Sequence, residues 1–275
     1  MSEPRPIASI LRDPSEWPLA ACPTCDTSPR PHPHGAFGPQ QCDDCRDREA
    51  EIAREAWRRR EYEDRRANLS ALLSRANCPT RYKHFTRDAW EAAYGPWQGA
   101  VTGRLVGWTG EEPESWLVLL YGRYGRRKTS LATALLGERI VAGKHGLWWD
   151  AAEWTHKLQV GIKDDTSAEV YRSAAAVDVL LLDDLGSVIG AREGRRAEQT
   201  WWAEQLTLLL RHREAWCKPT IVTANIEAVD ELGKIDRSLP SRCDVPLAFK
   251  LGGPDYRAVA PPLPTATPAT SEENP

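Results

Sequence analysis

The sequence lacks any apolar stretch close to the length of roughly 20 residues that a helix needs to cross a bilayer. It also lacks an apolar run of signal-peptide length at its start, because residues 1–21 are rich in proline and charge and are predicted to be flexible. A large excess of one charge is missing too, since the formal net charge is -3. We therefore expect a cytoplasmic protein without a membrane partner, whose contacts with nucleic acid are local.

One glycine is missing from a segment that otherwise follows the pattern of a nucleotide phosphate loop. Residues 116–121 have the pattern of a buried strand, and Lys128-Thr129 opens a helix. The motif requires Gly, four residues and then Gly-Lys-Ser/Thr, and Arg127 stands at the second glycine. The loop amides must wrap an anion closely, which a Cβ obstructs, and a positive φ at Arg127 would cost about 1–2 kcal/mol. The residues assigned to the loop are Gly122, Gly125, Arg127, Lys128 and Thr129.

Two carboxylates follow a second apolar strand further along the chain. Asp183 and Asp184 come directly after residues 179–182, at the position where an ATPase needs a Mg²⁺ partner and a water activator. Alone, the pair equally fits a strand end with a capping Asp, but the preceding phosphate loop favours the catalytic interpretation. A third strand, residues 219–224, ends at Asn225. This amide is expected beside the acidic pair, where it orients the attacking water or else only turns the chain.

Four cysteines form two closely spaced pairs that are separated by a polar loop. Cytosolic thiols stay reduced, and two such pairs at this spacing are typical of a tetrahedral zinc site with thiolate ligands. We predict a closed structural zinc site without a catalytic role, in which His32 and His34 are loop residues, although either one could replace a cysteine. The predicted zinc ligands are Cys22, Cys25, Cys42 and Cys45. The other cysteines are predicted to be packing residues: Cys78, Cys217 and Cys243.

The pattern of charges and apolar runs divides the chain into a zinc module at 22–45, a linker at 46–76, a domain at 77–257 and a disordered tail at 258–275. The linker is free of Gly and Pro and dense in opposite charges, which predicts one long solvated helix. This helix is a polar spacer or, as the less favoured alternative, an arm for nucleic acid. In the domain, alternating apolar runs and amphipathic stretches predict a three-layer α/β fold with a mainly parallel sheet. The expected strands are 116–121, 146–149, 179–183, 219–224 and 245–250, and the expected helices include 128–142 and 195–214.

The order of these motifs across residues 77–257 resembles that of the AAA+ ATPases of the DnaC/DnaI helicase-loader and IstB group. Further parts of the resemblance are the segment from Cys78 to Tyr82, the Ser241-Arg242 pair and residues 252–257. The resemblance implies a P-loop AAA+ ATPase core. An N-terminal cysteine module joined by a helix is also similar to the DnaI-like and phage members, whose N-terminal part engages the replicative helicase.

The resemblance implies that the chain uses ATP and Mg²⁺ and assigns a role to each residue around them. Lys128 would neutralise the β- and γ-phosphates, and Thr129 would ligate Mg²⁺. Asp183 would hold the water shell of the metal ion, and Asp184 would polarise the attacking water.

Further residues enter only through the order of the family's motifs. Asn225 matches the position known as sensor 1. Arg242 matches the arginine finger, which acts on the ATP of a neighbouring subunit and therefore implies a homo-oligomer. Arg257 is a weaker candidate for sensor 2, and Arg237 is a less favoured alternative for the finger.

The function that the resemblance implies is ATP-dependent loading of the replicative DnaB-type helicase onto single-stranded DNA. Two alternatives stay open. An IstB-like transposition helper shares the ATPase core, although that group usually lacks the four-cysteine module. A non-hydrolysing adaptor would keep the fold, with its loop disabled at Arg127, and would bind helicase or DNA.

Overall fold

The computed structural model describes residues 19–20, 24–25, 30–31, 43–94, 105, 108, 115–185, 196–243, 247–253 and 255. They fall into two compact units, which meet in sequence between Asp64 and Arg65. The first unit contains a short antiparallel pair of strands, β1 (Leu19–Ala20) and β2 (Arg30–Pro31). No helix within the described ranges is long and apolar enough to span a membrane.

The helix predicted for residues 46–76 is two helices, Asp43–Ala67 and Leu69–Arg75. They are separated at Asn68, whose carbonyl oxygen accepts hydrogen bonds from the first turn of the second helix. The first helix is exposed along most of its length and carries pairs of opposite charge, such as Arg59 and Glu63 at 3.1 Å. The second helix buries Leu69 and Leu73, so apolar packing rather than charge holds it in place.

A parallel sheet of five strands forms the centre of the second unit. The strands are β3 (Leu117–Tyr121), β4 (Gly146–Asp150), β5 (Val179–Asp183), β6 (Thr220–Ala224) and β7 (Ala248–Lys250). Their order across the sheet is β4-β5-β6-β3-β7. Every strand expected from the sequence is present, which confirms the α/β prediction. The strand with the largest change in bounds is β7, which is three residues long.

Helices cover both faces of this sheet. On one face, Leu119, Leu180 and Val222 belong to a buried cluster with Trp154 and Leu206 from the helices. Because side chains alternate along a strand, residues such as Val118 and Leu181 face the other side, and they are completely buried as well. The helix that follows the phosphate loop, Lys128–Val141, packs against β3 to β6. Further helices of the described ranges are Arg87–Tyr94, Ala151–Gly161, Ser167–Ala176, Arg196–Ala215 and Leu239–Cys243, with 3-10 turns at Thr80–Tyr82 and Val229–Lys234.

A buried arginine fastens two helices to the start of a central strand. Arg213 is completely buried, and its guanidinium donates to the carbonyl oxygens of Ala174, Val177 and Pro219 and to Thr220 Oγ1, at 2.7–3.0 Å. Burial lowers the pKa of Arg213 to about 9, which still leaves it charged at neutral pH. The side chain therefore satisfies carbonyl groups that would otherwise lack partners at a helix C-terminus.

The segment just before the Thr80–Tyr82 turn covers the outer edge of β4. Trp148 N donates to Ala76 O at 2.7 Å, and Asn77 Nδ2 donates to Trp148 O at 3.2 Å. The ring of Tyr82 stacks on Trp148, with centroids 6.5 Å apart. Covering an edge strand in this way satisfies backbone groups that could pair with another chain. These contacts also hold residues 76–82 beside β4, the strand that pairs with β5.

Candidate nucleotide site

The loop between β3 and the helix at Lys128 has glycine only where its backbone and its neighbours require it. Gly122 has φ +132°, and a Cβ there would lie 2.5 Å from Leu251 O. Gly125 has φ +75°, and a Cβ there would lie 1.8 Å from Asp255 Oδ1. The left-handed backbone therefore disfavours a side chain at both positions, and at Gly122 the backbone of Leu251 also leaves no room for one.

Arg127 has the conformation of the glycine that it replaces. Its backbone lies in the left-handed region, with φ 64° and ψ 21°, and it directly precedes the helix. For a residue with a Cβ, this conformation costs about 1–2 kcal/mol. Because the loop already has this shape in the folded chain, the cost falls on the free energy of folding. The turn that positions Lys128 and Thr129 is therefore retained without its glycine.

The lysine and the threonine of the motif occupy neighbouring positions at the start of the helix. Lys128 is 6% exposed, and its Nζ donates to Gly122 O and Arg123 O at 2.8 Å. Thr129 Oγ1 donates to Asp183 Oδ1 at 2.8 Å. The phosphate loop and the acidic strand end, which are far apart in the sequence, are thus joined by a direct hydrogen bond.

Asp183 is a buried carboxylate with two hydroxyl partners. In addition to Thr129, Thr223 Oγ1 on the neighbouring strand donates to Asp183 Oδ1 at 2.6 Å. Burial raises the pKa of Asp183 to about 6, although these two hydrogen bonds favour the charged form. A cation bound beside this carboxylate would stabilise its charged form, because it would replace the interactions with water that burial removes. Thr223 was not predicted, because a threonine inside a strand is common and needs no functional explanation.

Asp184 and Asn225 lie next to each other, directly after the carboxyl ends of β5 and β6, as the sequence predicts. Asn225 Nδ2 donates to Asp184 Oδ1, and Asp184 N donates to Thr223 Oγ1 at 2.8 Å. Asp184 is a second residue with a left-handed backbone, at φ 56°. Strained residues of this kind cluster at functional sites, because the surrounding hydrogen bonds must hold them. Here the two hydrogen bonds from β6 and the residue after it fix the orientation of the second carboxylate.

The residues present fit a triphosphate with Mg²⁺. The threonine hydroxyl and the aspartate carboxylate are hard oxygen ligands of the type that Mg²⁺ prefers, and they adjoin a loop that carries four basic residues. Asp184 and its amide partner provide an acceptor and a donor next to this pair, as the activation of a water molecule requires. The arrangement is suited to phosphoryl transfer to water. The four basic residues are Arg123, Arg126, Arg127 and Lys128.

Arg242 contacts a residue of its own chain. Its guanidinium forms an ion pair with Glu214, on the helix Arg196–Ala215, and the side chain is about one quarter exposed. To act on the nucleotide of a neighbouring subunit, Arg242 would have to leave Glu214. Arg237, the alternative, is exposed, and Arg257 lies outside the described residues.

Two of the four predicted zinc ligands lie in the described part of the first unit. Cys45 is buried, and Cys25 packs against it without a disulfide. Cys22, Cys42, His32 and His34 lie outside the described residues, and the residues that the structure does describe contain no group of three or more potential metal ligands. The packing prediction agrees with the burial of Cys78 and Cys243. It is wrong for Cys217, which is exposed in a turn with φ 47°.

Comparison with known proteins agrees with this geometry. Residues 118–251 match the profile of the ATPase family associated with various cellular activities (AAA). A search of curated proteins gave no match. The solved structure of the DnaC helicase loader matches with a TM-score of 0.50 and 20% identity, over 63% of this chain and 98% of that chain. Domain III of the replication initiation protein DnaA from Thermotoga maritima matches with a TM-score of 0.50 and 19% identity, over 63% and 69% of the two chains.

A longer structure, the replication initiator DnaA bound to AMPPCP and single-stranded DNA, matches with a TM-score of 0.46 and 19% identity, over 54% of this chain. The match spans only 44% of that protein. At identities of 19–20%, the two structures that match with a TM-score of 0.50 show the fold alone. The second unit is an α/β P-loop core of the AAA+ type, with the nucleotide motifs at the carboxyl ends of its parallel strands.

Proposed function

We propose that this AAA+ core drives an ATP-dependent loader, which places a DnaB-type replicative helicase on single-stranded DNA. The observation that carries the ATP-dependent part is the hydrogen bond between Thr129 and Asp183, next to the buried Lys128. It joins the two halves of a Mg²⁺-triphosphate site. The loader part is supported by the order of the motifs and by the fold shared with the DnaC helicase loader.

In this proposal, the residues of the chain divide the work of hydrolysis. Lys128 holds the β- and γ-phosphates, and Thr129 and Asp183 hold Mg²⁺, which would neutralise the charge that develops on the phosphoryl group. Asp184 accepts a hydrogen bond from the attacking water, and the Asn225 amide fixes the orientation of that carboxylate. The placement of Lys128 and Thr129 requires the left-handed turn at Arg127, which directly precedes them.

A helicase-loading assay tests this function directly. The protein would be mixed with a DnaB-type helicase and with single-stranded DNA that is coated by its binding protein, and unwinding of a downstream duplex would be measured. The helicase itself needs ATP to unwind DNA, so the wild type is compared with Lys128→Ala at the same ATP concentration. The proposal predicts unwinding only with the wild-type protein, together with capture of the helicase in a pull-down. Capture with equal unwinding by Lys128→Ala would contradict the ATP-dependent role.

Arg127 supports a second candidate, an adaptor that does not hydrolyse ATP, because its left-handed backbone carries a Cβ and a guanidinium into the loop. Comparison of Arg127→Gly with Arg127→Ala isolates the effect of the Cβ on nucleotide binding. Both variants lack the guanidinium, and only the glycine variant also lacks the Cβ. Because a Cβ obstructs the close approach of an anion to the loop amides, we expect Arg127→Gly to bind Mg-ATP about tenfold more tightly than Arg127→Ala, which corresponds to about 1.4 kcal/mol. Fluorescent-nucleotide titration measures both affinities. If the two variants bind equally, the Cβ at this position does not limit nucleotide binding.

The zinc module is a further part of the proposal, supported by the packing of Cys25 against Cys45 in the first unit. We expect one zinc ion per purified chain by elemental analysis, held by four thiolates. Cys45→Ser should lose the metal ion and unfold the first unit, because so polar a module cannot fold through apolar burial alone. Cys217→Ser, at an exposed cysteine, is the matched control and should keep the metal ion. Full zinc occupancy in Cys45→Ser would contradict the assignment.

A further inference from the structure

A carboxylate from the segment after β7 lies directly against the phosphate loop. Asp255 Oδ1, Cγ and Oδ2 would be 1.8, 2.3 and 2.9 Å from a Cβ built on Gly125. The carboxylate therefore fills the space that the side chain of any other residue would need at that position. Asp255 itself is exposed, so burial does not hold it there.

The backbone that carries Asp255 follows the loop closely as far as Leu251, and two consecutive glycines come next. Leu251 N donates to Tyr121 O at 2.7 Å, and Leu251 O lies in the space beside Gly122. Beyond this point, Gly252 has no neighbouring atom within 4 Å of its Cβ position, and Gly253 has φ +107°. Two consecutive glycines give the chain many backbone conformations. Asp255 can therefore leave the loop while β7 stays in the sheet.

Carboxylates from two separate segments gather around the cationic loop. Glu227, after β6, forms ion pairs with Arg123 and with Lys250, the second at 3.1 Å. Asp255 approaches the same loop from the other segment, at Gly125, and Arg126 and Arg127 directly follow Gly125 in the sequence. The triphosphate of ATP brings several negative charges to these same backbone and side-chain groups. At such short range, like charges repel appreciably even where water screens them.

We propose that Asp255 is an internal anion that competes with the nucleotide phosphates for the loop, and that it leaves when a nucleotide binds. The inference rests on the proposed ATP-binding function and adds a residue that sets the affinity of that site. The carboxylate compensates the positive charge of the loop in the protein without nucleotide. Its departure on binding couples the position of the Asp255 side chain to the occupancy of the site.

Asp255→Asn keeps the shape of the side chain and removes its charge, so it tests this competition. We expect the dissociation constant for Mg-ATP to fall by about threefold to tenfold at low salt, and the gain to shrink as ionic strength rises. Asp164→Asn makes the same change of charge at an exposed residue of another loop, between two helices, and should change the affinity by less than about twofold. Hydrogen exchange adds an independent readout: in the wild type, Mg-ATP should increase amide exchange across residues 251–255.

The possible outcomes separate this inference from the proposed function. If the wild type binds Mg-ATP and Asp255→Asn binds it equally or more weakly, Asp255 braces the loop and the competition is refuted, while the ATP-dependent function stands. If neither protein binds, both proposals fail. If only the variant binds, the competition is supported and the ATP-dependent function of the natural chain fails. Slower exchange at residues 251–255 on addition of Mg-ATP would also overturn the inference.

Discussion

Replacing Lys128 by alanine is expected to weaken Mg-ATP binding by about 100-fold or more and to abolish ATP-dependent helicase loading. The lysine is 6% exposed, and its ammonium is already held at the loop by Gly122 O and Arg123 O at 2.8 Å. A hydrogen bond between a positioned, buried ammonium and a charged phosphate stabilises the complex by about 2–3 kcal/mol. A 100-fold change in the dissociation constant corresponds to about 2.7 kcal/mol. Fluorescent-nucleotide titration and the loading assay measure the two effects.

Lys163→Ala is the matched control, because it removes the same charge from an exposed position outside the loop. This variant should bind nucleotide and load helicase like the wild type. Circular dichroism should show that Lys128→Ala is folded, since the variant loses two hydrogen bonds but also no longer buries an ammonium group, which is itself costly. If Lys128→Ala binds Mg-ATP as tightly as the wild type, or loads helicase equally well, the adaptor becomes the better account of the protein.

Replacing Asp183 by asparagine should have opposite effects on stability and on activity. The pKa of Asp183 is raised to about 6 by burial, from an ordinary value of 3.8, so the folded chain favours the protonated carboxyl group. The resulting stability is present below about pH 4 and is lost as the pH rises through about 6. At pH 8 the charged carboxylate therefore destabilises the protein without Mg-ATP by up to about 3 kcal/mol. An uncharged amide removes this penalty.

We therefore expect Asp183→Asn to melt at a higher temperature than the wild type at pH 8 without nucleotide, by an amount that shrinks toward pH 5. The same change removes a ligand of Mg²⁺, so hydrolysis should fall by about 100-fold or more. The stabilisation of the wild type by Mg-ATP should be smaller or absent in the variant. Thermal melts at the two pH values and a phosphate-release assay check these expectations. A variant that is less stable than the wild type at pH 8 would contradict the burial argument, and one that hydrolyses ATP normally would contradict the Mg²⁺ assignment.

The sheet could be predicted because its strands correspond to short, largely apolar runs in the sequence. Residues 179–183 coincide with β5, and the other strands differ by a few residues at their ends. In a parallel sheet, the carboxyl ends of the strands meet at one edge, so the proximity of Asp183, Asp184 and Asn225 followed from the strand assignment. The hydrogen bonds between Thr129 and Asp183 and between Asn225 and Asp184 have the expected partners.

Contacts that depend on the exact path of loops could not be predicted. Thr223 bonds Asp183 because the register of β6 places it opposite the strand end, and no pattern in the sequence marks that hydroxyl. Two further contacts join segments that lie far apart in the sequence, and no pattern of residues indicates that these segments meet. They are the ion pair of Arg242 with Glu214 and the approach of Asp255 to Gly125. The break at Asn68 was missed as well, since helix propensity alone does not oppose a continuous helix there.

The central claim is that the loop before Lys128 binds Mg-ATP although Arg127 stands where a glycine is expected. Isothermal titration calorimetry of the zinc-loaded wild-type protein with Mg-ATP tests this most directly. We predict a saturable heat of binding with one nucleotide per chain, together with a rise in melting temperature. No heat of binding and no change in melting temperature at millimolar Mg-ATP would contradict the claim.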